Sequence, residues 1–394
     1  MVTELSLKQA KLLTLHSQGL LRTFAKREKG AVQAIEQISY VQIDTISVAA
    51  RAHHHVFWSR IPDYQPEMLD RLISEKKEIF EYWSHAAAYL PMKDYRFSLP
   101  RKIALAEGQQ HWFERDHQLM QMVVERIREE GPLQSKDFGE DEKRSEWWGW
   151  KPTKIALEHL FQQGTLMVSR KNFQKVYDLT ERVLPPGIDT TVPSADEMAR
   201  HLITRAIEAH GFASEAEISY LRKGIKTIVS QNLREMTKEG LVIPVKLEGS
   251  EQKYFSLPGL PEAAPSSIRK KQIHILSPFD NLVIQRKRLT DIFGFDYQIE
   301  CYVPQPKRKF GYYCLPVLWG DTFIGRLDPK ADRKKGVFYI QKLWLEDTVI
   351  HSEEMLTALA GKIKDFAEFC GCSEVVVNGC SDKKFGEELQ KVVE

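Results

Sequence analysis

The sequence predicts an α+β fold in which tandem winged-helix (helix-turn-helix) domains precede a β-rich C-terminal part, and three observations predict it. The chain has 394 residues, which at roughly 150 residues per domain exceeds one small module. Two stretches, Leu119 to Leu184 and Ala195 to Leu257, repeat one order of helix, short segment, helix and two-stranded hairpin, the plan of a winged helix. After a Pro-rich segment at 257–267 the chain turns rich in β-branched and aromatic residues, the composition of strands.

In chain order, Leu5, Leu12, Leu13, Leu15 and Leu20 form a helical apolar stripe that stops near Gly19, and a second helix spans Ala31 to Ile38. YVQIDTISV, from Tyr40 to Val48, is β-branched and alternating, which predicts an extended segment within a third winged-helix-like unit at the amino terminus. In the first repeat a helix ends at Glu130-Gly131, a segment holding Leu133 and Phe138 follows, a helix covers Thr153 to Gln163, and two strands flank a turn at Arg170-Lys171-Asn172. In the second repeat a helix ends at His210-Gly211, a short helix follows Ser214, a helix covers Lys226 to Lys238, and two strands flank Glu248-Gly249-Ser250. Each third helix stops at a glycine, Gly164 or Gly240. The Pro-rich stretches at 184–187 and 257–267 are linkers. Beyond the second, HILSPFDNLVI, YQIECYVP, GYYCLPVLWGDTFIGRLD and GVFYIQKLWLE read as strands, with a tight hairpin at Gly320-Asp321, a helix from Glu353 to Cys370 and a strand from Glu374 to Asn378. The domains predicted are therefore 1–117, 118–187, 194–258 and a basic, β-rich 268–394.

Charge and composition narrow the function. Fifty-six Lys and Arg against 54 Asp and Glu give +2, with 42% hydrophobic and 28% charged residues, which excludes a disordered tail, a polycation and a membrane protein. No apolar run approaches the roughly 18 residues of a spanning helix, and the first 20 residues lack a cleavage site, so the cytoplasm, on the nucleoid, is expected. Five cysteines, all in the last quarter, read as free thiols. His53, His54 and His55 point in different directions on any regular element, so neither a metal nor another cofactor is expected. The chain carries no GxSxG, Walker loop, GxGxxG or HExxH.

A near-neutral total counts against nucleic acid until it is resolved along the chain. Between Ile268 and Thr290 six basic residues, among them Arg269, Lys270 and Arg286, face one acid, and from Cys301 to Gly336 eight, among them Lys307, Arg308, Lys309, Arg326 and Arg333, face three. Phe310, Tyr312, Tyr313, Trp319 and Phe323 lie between them. That mixture suits phosphate contact with stacking or wedge residues; its bland counterpart is a solvated edge over an aromatic core. The third helix of the second repeat carries only Lys226, Arg234 and Lys238, and winged helices also serve as docking or spacer modules.

The most unusual local feature is Gln42-Ile43-Asp44. On an extended strand Tyr40, Gln42 and Asp44 share one face, and a carboxylate among Val and Ile costs free energy without partners. Asp44 either anchors a turn or helix end, or joins Gln42 in holding a water beside a substrate. Arg51, His53, His54, Arg60, Trp83 and His85 follow, a set suited to a cationic, aromatic-lined cleft around it.

The blocks YVQIDTISVAARAHHHVFWSR, EYWSHAAAYLP, LSPFDNLVIQRKRLTDIFGFDYQIECYVP and KRKFGYYCLPVLWGDTFIGRLDPKADR, from near residue 40 to near 333, resemble the winged-helix bacterial DNA glycosylases AlkZ and YcaQ (AlkX). The resemblance implies three tandem winged helices in a C-shaped arrangement around duplex DNA, and hydrolysis of the N-glycosidic bond of N7-alkylguanine, including unhooking of interstrand crosslinks. It implies Gln42 and Asp44 as the catalytic pair, since the Gln-x-Asp form is that of the YcaQ branch. N7 alkylation makes guanine a cationic leaving group, so what remains is an oxocarbenium-like sugar and an attacking water; one carboxylate and one amide suffice. The nearest lysines in sequence are Lys29 and Lys76, so a monofunctional enzyme without a Schiff-base step is expected. The expected partner is double-stranded DNA carrying alkylated or crosslinked guanine, bound by a monomer. The competing class is a non-catalytic winged-helix regulator or lesion sensor, indifferent to Asp44.

Overall fold

A computed structural model describes residues 2–109, 114–139, 151–268, 271–347, 350 and 352–394. The chain opens with β1 (Thr3–Leu5) and α1 (Leu7–Ser17), the helix started by a capping box between Ser6 and Gln9. One plan then occurs three times. The first unit comprises α2 (Arg27–Ile38), β2 (Val41–Gln42), α3 (Ala52–Trp58), α4 (Pro66–Ser74) and the hairpin β3 (Ile79–Trp83) and β4 (Ala87–Pro91). After α5 (Leu99–Ala106), the second unit holds α6 (His117–Glu130), β5 (Leu133–Gln134), a 3-10 turn (Ser135–Phe138), α7 (Pro152–Gln162), and the hairpin β6 (Leu166–Lys171) and β7 (Gln174–Leu179), closed by α8 (Thr180–Val183). The third holds α9 (Ala195–His210), α10 (Glu215–Ile218), α11 (Lys226–Lys238), and the hairpin β8 (Ile243–Leu247) and β9 (Lys253–Ser256).

In each unit the residue or strand after the first helix pairs antiparallel with the hairpin's last strand: β2 with β4, β5 with β7, and Ala213 with Phe255 of β9. β1 adds to the outer edge of β8 as a parallel strand, so the amino terminus is sewn into the third unit. Leu5, Ala10, Leu13 and Phe212 share one core with it.

Past α12 (Leu260–Ala263) come β10 (Ile273–Ile275), α13 (Arg286–Phe293), β11 (Leu315–Trp319), β12 (Thr322–Asp332), β13 (Val337–Leu345), α14 (Glu353–Phe369), β14 (Glu374–Val377) and α15 (Lys383–Val393). The five strands form one sheet in the order β10-β11-β12-β13-β14, antiparallel except for the β13–β14 edge. Apolar faces of α14 and α15 (Leu359, Ile363, Phe366, Leu389) cover it. Ala49, Ala50 and Ala52 of the first unit are buried in this same core, and Ala331 N–H donates to Val48 O at 3.1 Å. The segment following Asp44 is therefore pinned to the C-terminal sheet, and this positions the site.

Several sequence expectations change. YVQIDTISV is a strand only at Val41–Gln42, because Ile46 N–H donates to Asp44 Oδ1 at 2.7 Å and bends the chain off the ladder. The alternation that would put Asp44 on the face of Gln42 thus stops short. The β6–β7 hairpin turns at Asn172-Phe173, both at positive φ (52° and 68°), rather than at Arg170-Lys171-Asn172. In the region read as strand-rich, only His274 and Ile275 of HILSPFDNLVI fall in a strand, 286–293 is helical, and 295–314 is almost wholly irregular. α15 was not expected. The hairpin around Gly320-Asp321 forms as read, with Trp319 opposite Thr322. All five cysteines are free. No helix among the described residues is long and apolar enough to cross a membrane.

Candidate active site

Three devices hold the chain around Gln42 and Asp44. The first is the turn made by Ser277 to Gln285. Asn281 Nδ2 donates to Ile38 O (2.8 Å) and Tyr40 O (3.1 Å), gripping the two residues that lead into β2. Its neighbour Asp280 takes Arg60 in a two-pronged ion pair, NH1–Oδ2 2.6 Å and NH2–Oδ1 3.0 Å, with both side chains 0% exposed. The second is the ladder: Gln42 pairs with Ala88, and Ile43 N–H donates to Ala87 O at 2.8 Å. The third is the burial of 49–52 in the C-terminal core described above.

Within this frame Gln42 is half-buried, and its Oε1 lies 3.2 Å from His85 Nε2. His85 sits at the β3–β4 turn, edge-on to Tyr40 (5.1 Å) and Tyr220 (6.0 Å). Burial, and then the charge of Arg222, push its pKa down to about 4, so near neutrality the ring is uncharged, and it is the tautomer with its proton on Nε2 that donates to the amide oxygen. Asp44 is also half-buried. Desolvation raises its carboxyl above the ordinary range, while the N–H groups of Ile46 and Thr45 pull it back. One oxygen of Asp44 therefore anchors a turn, the bland expectation, yet the group keeps a costly, partly desolvated charge. Burial raises the pKa of Cys301, Tyr302 and Tyr313, and the charge of Asp44 adds a smaller upward push to each, which places these three C-terminal residues near it.

Cys301, Tyr302 and Tyr312 belong to an irregular loop that is nonetheless fixed. Glu300 accepts the backbone N–H groups of Lys309 (2.8 Å), Phe310 (2.8 Å) and Gly311 (3.1 Å), and Trp344 Nε1–H donates to Phe310 O at 2.8 Å. Burial opposes the charge of Glu300, but those donors and Arg326 hold its carboxyl below the usual range. Gly311 is required: at φ 151° an added Cβ would lie 2.3 Å from the Asp328 carboxylate. Arg308 donates to Val303 O at 2.8 Å and covers the Tyr312 ring at 4.9 Å. The loop so tied presents Tyr302, 76% exposed, with Tyr312, Lys307 and Lys309 also exposed.

The expected cleft residues divide. Gln42 and His85 touch. Arg51, the residue before α3, and Arg333, from the β12–β13 turn, converge on the segment after Asp44: Arg333 donates to Ala49 O, and both Arg170 and Arg333 depress the Arg51 pKa after desolvation. Arg51 lies over the Phe173 ring at 4.0 Å. Trp83 is half-buried beside Arg101 (5.1 Å). Five others are corrected from lining to structure. His53 is 1% exposed and stacked on Phe173 at 5.6 Å, its pKa driven well down by burial. His54 bonds Tyr64 OH through Nδ1 at 2.8 Å, its pKa lowered to about 4 by burial. Arg60 is consumed by Asp280. Arg286 donates to Pro278 O at 2.7 Å and covers Tyr297, and Arg326 is buried against Phe295 and Phe310 with Glu346 at 2.8 Å. Arg269 and Lys270 lie outside the described residues. No group of three metal-binding side chains occurs among the described residues.

Sequence reasoning missed Asn281, Glu300, Tyr302 and Arg222. Tyr302 carried a signal, an aromatic six residues before the Arg308 of the basic cluster; the others act on backbone or hydroxyl groups, which leave no pattern in composition.

Over residues 35–369 the chain matches the family described as DNA glycosylase AlkZ-like. Among solved structures it is similar to Streptomyces sahachiroi DNA glycosylase AlkZ, with a TM-score of 0.63 and 16% identity over 96% of this chain and 100% of that one. At that identity the likeness is one of fold.

Proposed function

The chain belongs to the AlkZ-like DNA glycosylase family, and from that premise we propose that it hydrolyses the N-glycosidic bond of N7-alkylguanine in duplex DNA and unhooks interstrand crosslinks made through that atom. The observation that carries this reading is the pairing of a half-buried, partly desolvated Asp44 with an amide oriented by His85, beside a rigid loop that offers an exposed tyrosine and cations. A carboxylate raised in energy by desolvation gains most where positive charge develops, as on an oxocarbenium-like sugar. Asp44 stabilises that charge and takes a proton from the attacking water, and Gln42 holds the water through its amide. The N7-alkyl cation leaves without a general acid, and no lysine takes part in a lyase step.

The three repeated units act as winged helices that clasp the duplex in a C-shaped arrangement, with the C-terminal loop closing on the lesion. A crosslinked guanine is tied to the opposite strand and cannot be swung into a closed pocket, so the lesion is read in place, with Tyr302 or Tyr312 stacking beside it. Arg51 and Arg333, from two parts of the chain, meet one backbone phosphate next to Asp44. A single copy supplies every contact in this reading.

The test is a denaturing gel of a duplex joined by an N7–N7 guanine crosslink. Wild type separates the strands and leaves alkali-labile sites, and Gln42→Ala slows both. Strands that stay joined while a simple N7-methylguanine duplex is processed would sink the crosslink part, and sequence-selective binding indifferent to Asp44→Asn would favour a regulator.

A further inference from the structure

The path from Gln42 does not end at His85. Arg222, in the loop between α10 and α11 of the third unit, reaches across to the first unit, where NH2 donates to Ser84 Oγ (2.9 Å) and NH1 to Ser84 O (3.3 Å). Ser84 N–H closes its own turn on Ala86 O at 2.9 Å, and His85 is the residue between. No acid contributes to the shift of the Arg222 guanidinium, which burial lowers and Tyr40 raises; among the described residues its hydrogen bonds go to those two serine oxygens. Leu221, the residue immediately before it, sits at φ 54° and is 64% exposed, a strained backbone that persists only where surroundings enforce it. Tyr220, one residue further back, lies edge-on to His85 and donates its hydroxyl to Ile284 O at 3.1 Å. Two residues of the third unit, Tyr220 and Arg222, thus bear on one turn of the first, and that turn carries the only ring bonded to Gln42 among the described residues.

We propose that Arg222 and His85 are positioning residues of the glycosylase reaction, transmitting the docking of the third unit to the amide of Gln42. The inference rests on the reading of Gln42 as a catalytic residue. A free glutamine amide rotates and presents oxygen or nitrogen with equal ease. Here the guanidinium holds the 84–86 turn, the turn holds the imidazole between Tyr40 and Tyr220, and the imidazole holds Oε1. The N–H2 end of Gln42 is thereby left as the end offered to water or sugar. The ring faces Tyr40, Tyr220, Gln42 and Arg222, and its pKa of about 4 keeps it an uncharged donor, which avoids adding a cation beside a cationic base. The amide is thus oriented by contacts that the third unit makes with the first before any DNA is bound.

Single-turnover release of N7-methylguanine, with duplex affinity measured alongside, tests this. Arg222→Met is expected to slow release at least tenfold while undamaged duplex binds within twofold of wild type. Arg222→Lys restores part of the rate, and Arg222→Met with His85→Ala is no slower than His85→Ala alone. A rate within twofold of wild type in Arg222→Met, or losses that multiply in the double variant, overturns the relay. Should wild type release no base, the functional reading fails, and the relay is then judged by the side-chain amide resonances of Gln42 in 15N-glutamine-labelled protein. Those signals move in Arg222→Met and in the milder Ser84→Ala if the relay exists, and stay put if it does not.

Discussion

Replacing Asp280 by Ala removes the partner of a guanidinium that is wholly out of water. Arg60 would keep its bonds to Gln18 O (2.9 Å), Ser59 Oγ (3.0 Å) and Val56 O (3.2 Å), all neutral. Breaking a buried pair by deleting one side costs about 3–5 kcal/mol, because desolvation of the remaining charge is no longer offset. At roughly 2 °C per kcal/mol for a chain of this size, the melting temperature falls by about 6–10 °C. The loss reaches the site as well, since Asn281, next in sequence, holds Ile38 and Tyr40; the rate of base release should fall further than the fraction unfolded accounts for. Replacing both partners by apolar residues, Arg60→Met with Asp280→Leu, recovers at least half of the thermal loss, since no charge is then stranded. Differential scanning calorimetry at one fixed scan rate compares the variants. An Asp280→Ala protein that melts within about 2 °C of wild type, or a double variant no better than the single, refutes the reasoning.

Three further outcomes follow from other groups. The Asp44 carboxyl is raised by desolvation, so kcat/KM falls as pH drops through a pKa above the ordinary carboxylate range, the protonated form being inactive; an acid limb at or below the ordinary value contradicts this. Lys102 is buried among Tyr95 (3.9 Å), Tyr82 (4.7 Å) and Phe80 (5.6 Å), its pKa lowered to about 7 by burial. The unfolded chain binds more protons between that value and about 10.4, so stability rises with pH across this window. Melting curves from pH 7 to 10 should climb in wild type and be flatter in Lys102→Met; equal slopes exclude the effect. Lys307→Gln with Lys309→Gln should lower the slope of log affinity against log salt by about 2 on lesion-bearing duplex, one phosphate for each cation, and an unchanged slope removes the loop from the interface.

Much of the fold was legible because it is carried by local signals. Glycines after the third helices (Gly164, Gly240), the serine before a short helix (Ser214) and the polar turns of the hairpins are short-range facts. Residues 273–314 misled for a physical reason: Phe279, Leu282, Val283 and Ile284 are buried by a turn whose backbone is held by Asp280 and Ser277. An apolar stretch can be buried without pairing, and composition does not separate the two. At the site, Gln42 and Asp44 stood out because polar groups on an apolar strand need a reason. The cationic histidines and arginines around them were overread, since sequence gives charge but not partner: Asp280 lies 220 residues from Arg60. Arg222 and Glu300 were invisible for the complementary reason, as each acts on backbone or hydroxyl groups brought near by the tertiary fold.

The central claim is that Asp44 performs chemistry on a damaged base rather than merely anchoring a turn. Free N7-methylguanine released from duplex DNA, quantified by mass spectrometry for wild type and Asp44→Asn side by side, tests it most directly. Asparagine keeps the acceptor for Ile46 N–H and removes the charge, so release should fall by a factor of at least 100 while lesion-duplex affinity stays within a few-fold of wild type. Equal release from both proteins, or none from wild type, contradicts the claim.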